Sequence, residues 1–225
     1  MNTSRSRDSA AMIMFATMLW QQIERLPYKP PVTLALIGLQ SFLFFSGELS
    51  PIEFCLNPLR DVTFRNISSI ETFARIIFSP FIHADNHHLY FNQLSFLTKG
   101  VAIEQRYGSI SYFLILSLLT IITQVFYITL CLICNKHECG IGFSGVIFAL
   151  KILCTFDEKG YQMIYGIQIP LRFAAWVELL AIHFLVPRSS FIGHLAGILA
   201  GLLFMTGEKL YMRSINRQRP NRQQG

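Results

Sequence analysis

Charge is what this sequence has least of. Asp, Glu, Lys and Arg supply 14% of its 225 residues, where globular domains carry about 25%. That leaves too little polar surface to coat a soluble globule, and the 52% hydrophobic content with 20 phenylalanines belongs in a bilayer. Other absences narrow the class. No repeat or low-complexity segment appears, and no pair of inverted halves, which removes the transporter architectures built from them. The stretch "AAMIMFATMLWQQIERL" before Pro27 is apolar for only about ten residues and no small-residue cleavage site follows it, so it reads as an interfacial helix rather than a signal peptide. Five cysteines do not make a metal site: Cys131 and Cys134 end an apolar helix, where free cysteine behaves as a small hydrophobe, and His137 with Cys139 would have to complete a zinc set of four. No cofactor is called for.

What is present is a series of apolar runs near the roughly 17 to 25 residues that span a hydrocarbon core. Six are candidates: Val32 to Gly47, Leu89 to Ile103, Ile110 to Cys134, Ile141 to Leu153, Ile169 to Val186 and Phe191 to Met205. With the N-terminus inside, fourteen of the 19 Lys and Arg fall on inner segments, Lys99 and Lys151 among them, against Arg60, Arg65, Arg75, Lys136 and Arg188 outside. The positive-inside rule therefore places both termini in the cytoplasm, which accounts for the net charge of +6. The tail "MRSINRQRPNRQQG" reads as a solvated cytoplasmic end, and with no aromatic interleaving its charges it is not a nucleic-acid binder. Three divisions follow: a cytoplasmic or interfacial segment 1–30, a six-helix domain 31–206, and a basic tail 207–225. The outer loop Glu48 to Asn86, with "FARIIFSPFIHADNHH", is too apolar for a free linker and is expected to lie partly in the membrane. Cys55 and Cys139 both fall on the outer side, where a disulfide fits an oxidising lumen, although sequence alone does not pair them.

Span order also sets depth. Spans two, four and six all run inward, which puts His88 and Asn92, Ser144, and His194 at one level near the outer surface. Hydrogen-bonding and ionisable groups at such depth face a bundle interior or a wet cavity and mark function; the bland reading, a network that merely holds helices together, suits any one of them better than all four. In "FIGHLAGILAGLL", His194, Gly197 and Gly201 share a helix face, and a glycine face admits a neighbouring backbone closely. If that neighbour is span four, His194 comes within proton-transfer reach of Ser144. Gly142 and Gly145 free the backbone around Ser144, leaving the amides of Phe143 and Ser144 at a helix N-terminus, where an oxyanion is stabilised. Valine at 146 excludes the hydrolase nucleophile elbow.

"GFSG" with Ser144, "GHLAGILAG" with His194, "HLYFN" with His88 and Asn92, and "EQRYG" after the second span resemble the rhomboid intramembrane serine proteases. "SPFIHADNHHLYFN" and "GFSGVIFALK" are most similar to the six-helix rhomboids of the endoplasmic reticulum, the rhomboid-related protein four type. The resemblance runs from about Pro31 to Met205 and implies an all-α, six-transmembrane-helix bundle with a partly membrane-embedded first outer loop. It implies a Ser144 nucleophile, a His194 general base, and an oxyanion site of His88, Asn92 and the Ser144 amide, cutting single-pass membrane proteins near the membrane surface, at or near their transmembrane segments, in the endoplasmic reticulum. Phe148 matches an aromatic that stacks on the histidine, and Glu104 with Arg106 a structural ion-pair motif. The family's Trp-Arg loop pair is Ala74-Arg75 here, and Gly193 stands where alanine is usual. Relatives that have lost catalysis and bind membrane clients instead lack the serine or histidine, or carry proline before the serine; position 143 is phenylalanine. Glu178 has no evident partner in the sequence and is expected, protonated, to bond a neighbouring helix rather than act as a catalytic acid. His83, His87 and His137 read as solvated loop residues.

Overall fold

A computed structural model describes residues 2–218 apart from 63–65, 67, 165 and 188, with side chains described from Ala10 to Asn216. The charges placed at Arg65, Arg188, Arg219 and Arg222 lie outside the described residues, as do the side chains of Arg5, Arg7 and Arg217.

The short helix α8 (Ser144–Thr155) forms the centre, and all of its residues except Ser144 and Cys154 are buried. A helix that is apolar all round must be enclosed by others, and here the enclosing elements are α6 (Asn86–Tyr107), α7 (Ser109–Ile133), α9 (Leu171–Leu185) and α10 (Phe191–Gln218). Outside α6 lies α2 (Pro31–Ser46). Two of these, Ser109–Ile133 and Phe191–Asn216, are long and apolar enough to cross a membrane; Pro31–Ser46 and Ser144–Thr155 are shorter apolar helices. We call the end where α6 and α8 begin the upper end. There the loop between α2 and α6 folds into α3 (Pro51–Phe54), α4 (Pro58–Asp61), α5 (Ile70–Phe78) and a 3-10 turn, Ser79–Phe81.

Glycine sets the tightest contact. A Cβ built at Gly197 collides with the backbone carbonyl of Gly145, lying 2.7 Å from its carbon, and one at Gly201 lies 2.7 Å from the Ala149 oxygen. α8 and α10 therefore meet backbone to backbone, the approach that small residues permit.

Several placements differ from the sequence reading. The chain is not purely helical: an antiparallel hairpin, β1 (Tyr161–Ile164) with β2 (Ile167–Pro170), precedes α9, with Tyr161 opposite Pro170. Helix α10 continues without a break to Gln218, so residues 207–218 extend a helix instead of starting a separate tail. Lys99 and Lys151 do not sit in inner loops. Lys151 is 4% exposed within α8 and pairs with Glu178 of α9, supplying the missing partner; a carboxylate in so apolar a setting is held by a cation because an unpaired buried charge is prohibitive. The motif Glu104/Arg106 is not an ion pair. Glu104 accepts from the amides of Val32 and Thr33 at 2.9 Å each and from Thr33 Oγ1 at 2.8 Å, capping the N-terminus of α2, whose own cap, Pro30, makes no side-chain bond. Arg106 reaches Glu158 at 3.2 Å instead. The N-terminal stretch forms α1 (Asn2–Arg25), which packs along the upper part of α6: Phe15 stacks on Tyr90 at 4.4 Å and meets His87 edge-on.

The backbone contact of α8 and α10 yields a stability prediction. Gly197→Leu is expected to lower thermal stability in detergent by on the order of 3 kcal/mol or more, the upper range for overpacking, since backbone cannot rotate away. Gly207→Leu, where a Cβ meets nothing within 4 Å, is expected to be neutral; equal melting temperatures for the two variants would contradict the contact.

Candidate active site

The upper ends of α6, α8 and α10 converge on Ser144. Gly142 has φ +96°, a conformation costly for any residue with a Cβ. A Cβ at that position would also fall 2.5 Å from His88 Nε2. The turn lets Phe143 sit outside the helix and Ser144 open it, so the first-turn amides have no intrahelical acceptor and their dipole favours negative charge. Across the glycine contact, His194 Nε2 lies 3.0 Å from Ser144 Oγ, the distance at which a base takes a hydroxyl proton. Phe148, one turn below Ser144, stacks on the His194 ring at 4.7 Å and 29°. Nδ1 of His194 has no hydrogen-bond partner among the described residues, so the pair has no third member to orient it; the stacked ring and the helix do that.

On α6, Asp85 caps the helix by accepting from the His88 amide at 2.8 Å. The Ala84 amide donates to His88 Nδ1 at 3.4 Å, which leaves neutral His88 with its proton on Nε2, the nitrogen nearest Gly142. Asn92 Nδ2 donates to the His88 carbonyl at 2.8 Å, so in this state its amide is engaged along its own helix and must rotate to serve an oxyanion.

The segment Ser79–Asp85 braces both halves of the site. The Ser79 carbonyl accepts from the Gly142 amide at 2.9 Å, Phe81 stacks on Phe143 at 5.6 Å, and His83 packs against the His88 ring at 5.1 Å. His83 was read as a solvated loop residue; it is 1% exposed. Burial, and after it the neighbouring His88, push its pKa down to about 3, keeping it neutral. Its only sequence signal is its place in an apolar loop. A disulfide joins Cys55 to Cys139, and Leu56 and Gly140 exchange backbone bonds at 3.0 and 2.8 Å, tying the first loop to the strand that leads into "GFSG". Glu138 accepts from Ser190 Oγ at 2.7 Å, and Ser190 Oγ accepts from the Gly193 amide at 2.9 Å. The loop therefore also reaches the start of α10.

Arg75, which follows Ala74, is held by a carbonyl and a carboxylate. Arg75 Nε donates to the Glu53 carbonyl at 2.8 Å and its Nη1 to Asp61 Oδ1 at 3.0 Å. Asp61 also takes Arg60 at 2.7 Å and the Asn57 amide at 2.8 Å. No cluster of three or more His, Cys, Asp and Glu suited to a metal occurs among the described residues.

Known proteins resemble this chain over most of its length. The family model "Rhomboid domain" matches residues 71–208. The chain is 38% identical over 187 residues to Rhomboid-related protein 4 of Homo sapiens, covering 79% of this chain and 58% of that one. It is 32% identical to Rhomboid-like protein 14, mitochondrial, of Arabidopsis thaliana, over 80% of this chain and 57% of that one. Rhomboid-type serine protease 2 of Yarrowia lipolytica is 28% identical over 59% of this chain and 46% of its own. The chain thus spans under two thirds of the length of these relatives.

The Asp61 cluster gives a prediction with a definite sign. Burial raises the Asp61 pKa, but the hydrogen bond from Arg60, the Asn57 amide and the charges of Arg60 and Arg75 outweigh it and hold the carboxyl below its ordinary value. A group depressed on folding contributes fully above its unfolded pKa of about 3.9 and loses that contribution as acid protonates the folded form. Asp61→Asn is therefore expected to cost about 1 to 2 kcal/mol at neutral pH, the scale for charge-assisted hydrogen bonds whose cations, Arg60 and Arg75, remain partly solvated. Thermal unfolding in detergent checks it: the gap between wild type and variant should close below about pH 4.

Proposed function

The chain belongs to the rhomboid family, and we propose from that premise that it is an intramembrane serine endopeptidase cutting single-pass membrane proteins at or near their transmembrane segments. The observation that carries this is the 3.0 Å approach of His194 Nε2 to Ser144 Oγ at a helix start that offers free amides. In the proposed reaction Ser144 Oγ attacks the scissile carbonyl carbon while its proton passes to His194. The carbonyl π electrons move to oxygen, and the Ser144 amide, the His88 Nε2 proton and Asn92 receive that oxyanion. Collapse of the tetrahedral species expels the amine, which takes the proton back from the imidazolium. Water then attacks the acyl-serine with His194 again as base. No cofactor enters.

In this reading α2, α6, α7, α8, α9 and α10 are six spans, and the upper end faces the lumen of the endoplasmic reticulum. The C-terminal end of α10 then belongs to the cytoplasm, and so does the junction of α1 with α2 beside Glu104, whereas Phe15 of α1 packs on His87 and Tyr90 at the upper end. The luminal side suits the Cys55–Cys139 disulfide, because an oxidising compartment maintains it. The client-binding alternative without catalysis has no observation in its favour, since Ser144 and His194 are both present and within reach.

Turnover of a fluorogenic transmembrane substrate in proteoliposomes tests the proposal. Ser144→Ala and His194→Ala should each abolish cleavage, with the double variant no worse than either single, because residues that act as a unit lose activity non-additively. His88→Ala and Asn92→Ala should lower turnover by on the order of 100- to 1000-fold while binding changes little. Cleavage by Ser144→Ala near the wild-type rate would overturn the assignment.

A further inference from the structure

The hairpin between α8 and α9 has no part in the dyad, and its composition is unusual for an exposed connection. Residues 161–170, "YQMIYGIQIP", contain no charged side chain. Tyr161, Met163 and Ile167 are 71%, 60% and 63% exposed, whereas Ile164 turns inward. Two strands alone are marginal in water, and this pair is built onto the bundle: the Leu171 amide donates to the Gly160 carbonyl at 3.0 Å, closing the hairpin onto the first residue of α9. Its depth is fixed from the other side as well. Asp157 pairs with Lys209 of α10, and Glu158 with Arg106 at the end of α6. The hairpin therefore stands at the lower end of the helices, and the two acids nearest it are occupied.

The exposed apolar surface does not stop at the hairpin. Phe173, Leu180 and Phe184 continue it along α9, at spacings that share one helix face. A stripe of that length on a helix of a membrane protein is lipid-facing, and the hairpin is its lower margin. Exposed Lys159 stands just before the hairpin, and Arg172, its guanidinium over Phe173 at 4.8 Å, just after it. Uncharged apolar surface bounded by cations is the composition that seats at a headgroup boundary, where nearby Lys and Arg strengthen attachment to an anionic leaflet.

We propose that the β1–β2 hairpin is a membrane-interface anchor, seating Tyr161 and Met163, which share one face of the hairpin, at the headgroup boundary of the leaflet at the lower end of the bundle. The occupant of this surface is the bilayer, because the surface is continuous with the lipid-facing stripe of α9 and flanked by positive charge. The anchor fixes the depth at which α9 enters the membrane, whether or not Ser144 reacts.

Indole quenching in nanodiscs tests the proposal without an activity assay. The full chain would carry Trp20→Phe, Trp176→Phe and Tyr161→Trp, leaving a single indole in the hairpin, and would be reconstituted with lipids brominated either near the headgroup or at the acyl terminus. The expected result is blue-shifted emission that loses roughly half its intensity to shallow bromines and less to deep ones, with stronger quenching in anionic than in zwitterionic lipid. Should Tyr161→Trp disturb the hairpin, Met163→Trp in the same background reports from the same face and must give the same order. Emission of a water-exposed indole untouched by bromine at either depth would overturn the proposal. So would strongest quenching from the acyl terminus, or protection from aqueous quenchers without bromine sensitivity, which a protein partner would produce.

Discussion

Gly145 and Gly197 touch backbone to backbone, and the geometry of the site follows from that contact. His194 stands one turn before Gly197 on α10 and Ser144 one residue before Gly145 on α8, so the separation of the two helices sets the separation of nitrogen and oxygen. A Cβ at either glycine meets backbone that cannot rotate away: at Gly145 it would lie 2.9 Å from the Gly193 carbonyl oxygen, with the Thr123 methyl at 3.0 Å as well. Interhelical attraction inside a bilayer comes from packing and hydrogen bonds, not from excluding water. Close approach is thus both what holds these helices together and what brings the dyad into reach.

A short buried helix needs its upper end supported, and the support comes from loops. Ser79, Phe81 and His83 back the "GFSG" turn and the His88 ring, while the Cys55–Cys139 disulfide and the Leu56–Gly140 bonds hold the chain that enters the turn. Asp61 gathers Arg60 and Arg75 beneath the same loop. The lower end carries a different solution: Lys151 and Glu178 pair between α8 and α9, and salt bridges from Arg106 and Lys209 clamp the hairpin base. The "GFSG" turn itself is thus held by backbone bonds and rings, with ion pairs entering the upper end through Asp61 in the first loop, whereas at the opposite end charge pairs join the helices directly.

Much of this was legible because it repeats along a helix. The face of His194, Gly197 and Gly201, and the i, i+4 spacing of His88 and Asn92, need only helical periodicity to be seen, and "GFSG" announces its own turn. Partners separated by long stretches of chain were not legible. Arg75 was left without an anchor, yet Asp61, fourteen residues earlier, faces it across a fold of the loop. Glu178 and Lys151 lie twenty-seven residues apart, and Lys151 counted as an inner-loop cation because charge near the end of an apolar run ordinarily marks the membrane surface. Glu104 was matched to its neighbour Arg106, but three donors at the start of α2 outcompete one exposed guanidinium. His83 looked solvated because histidine in a loop usually is; apolar neighbours on both sides of it were the one hint of burial.

The account rests on Ser144 being a nucleophile made reactive by His194 across the glycine contact. Labelling by a fluorophosphonate in native membranes, with the modified peptide mapped by mass spectrometry, measures that reactivity without any substrate. The account predicts covalent modification at Ser144 in the wild type and its loss in His194→Ala. An unlabelled Ser144 in correctly inserted wild-type protein, or equal labelling with and without the His194 imidazole, would contradict it.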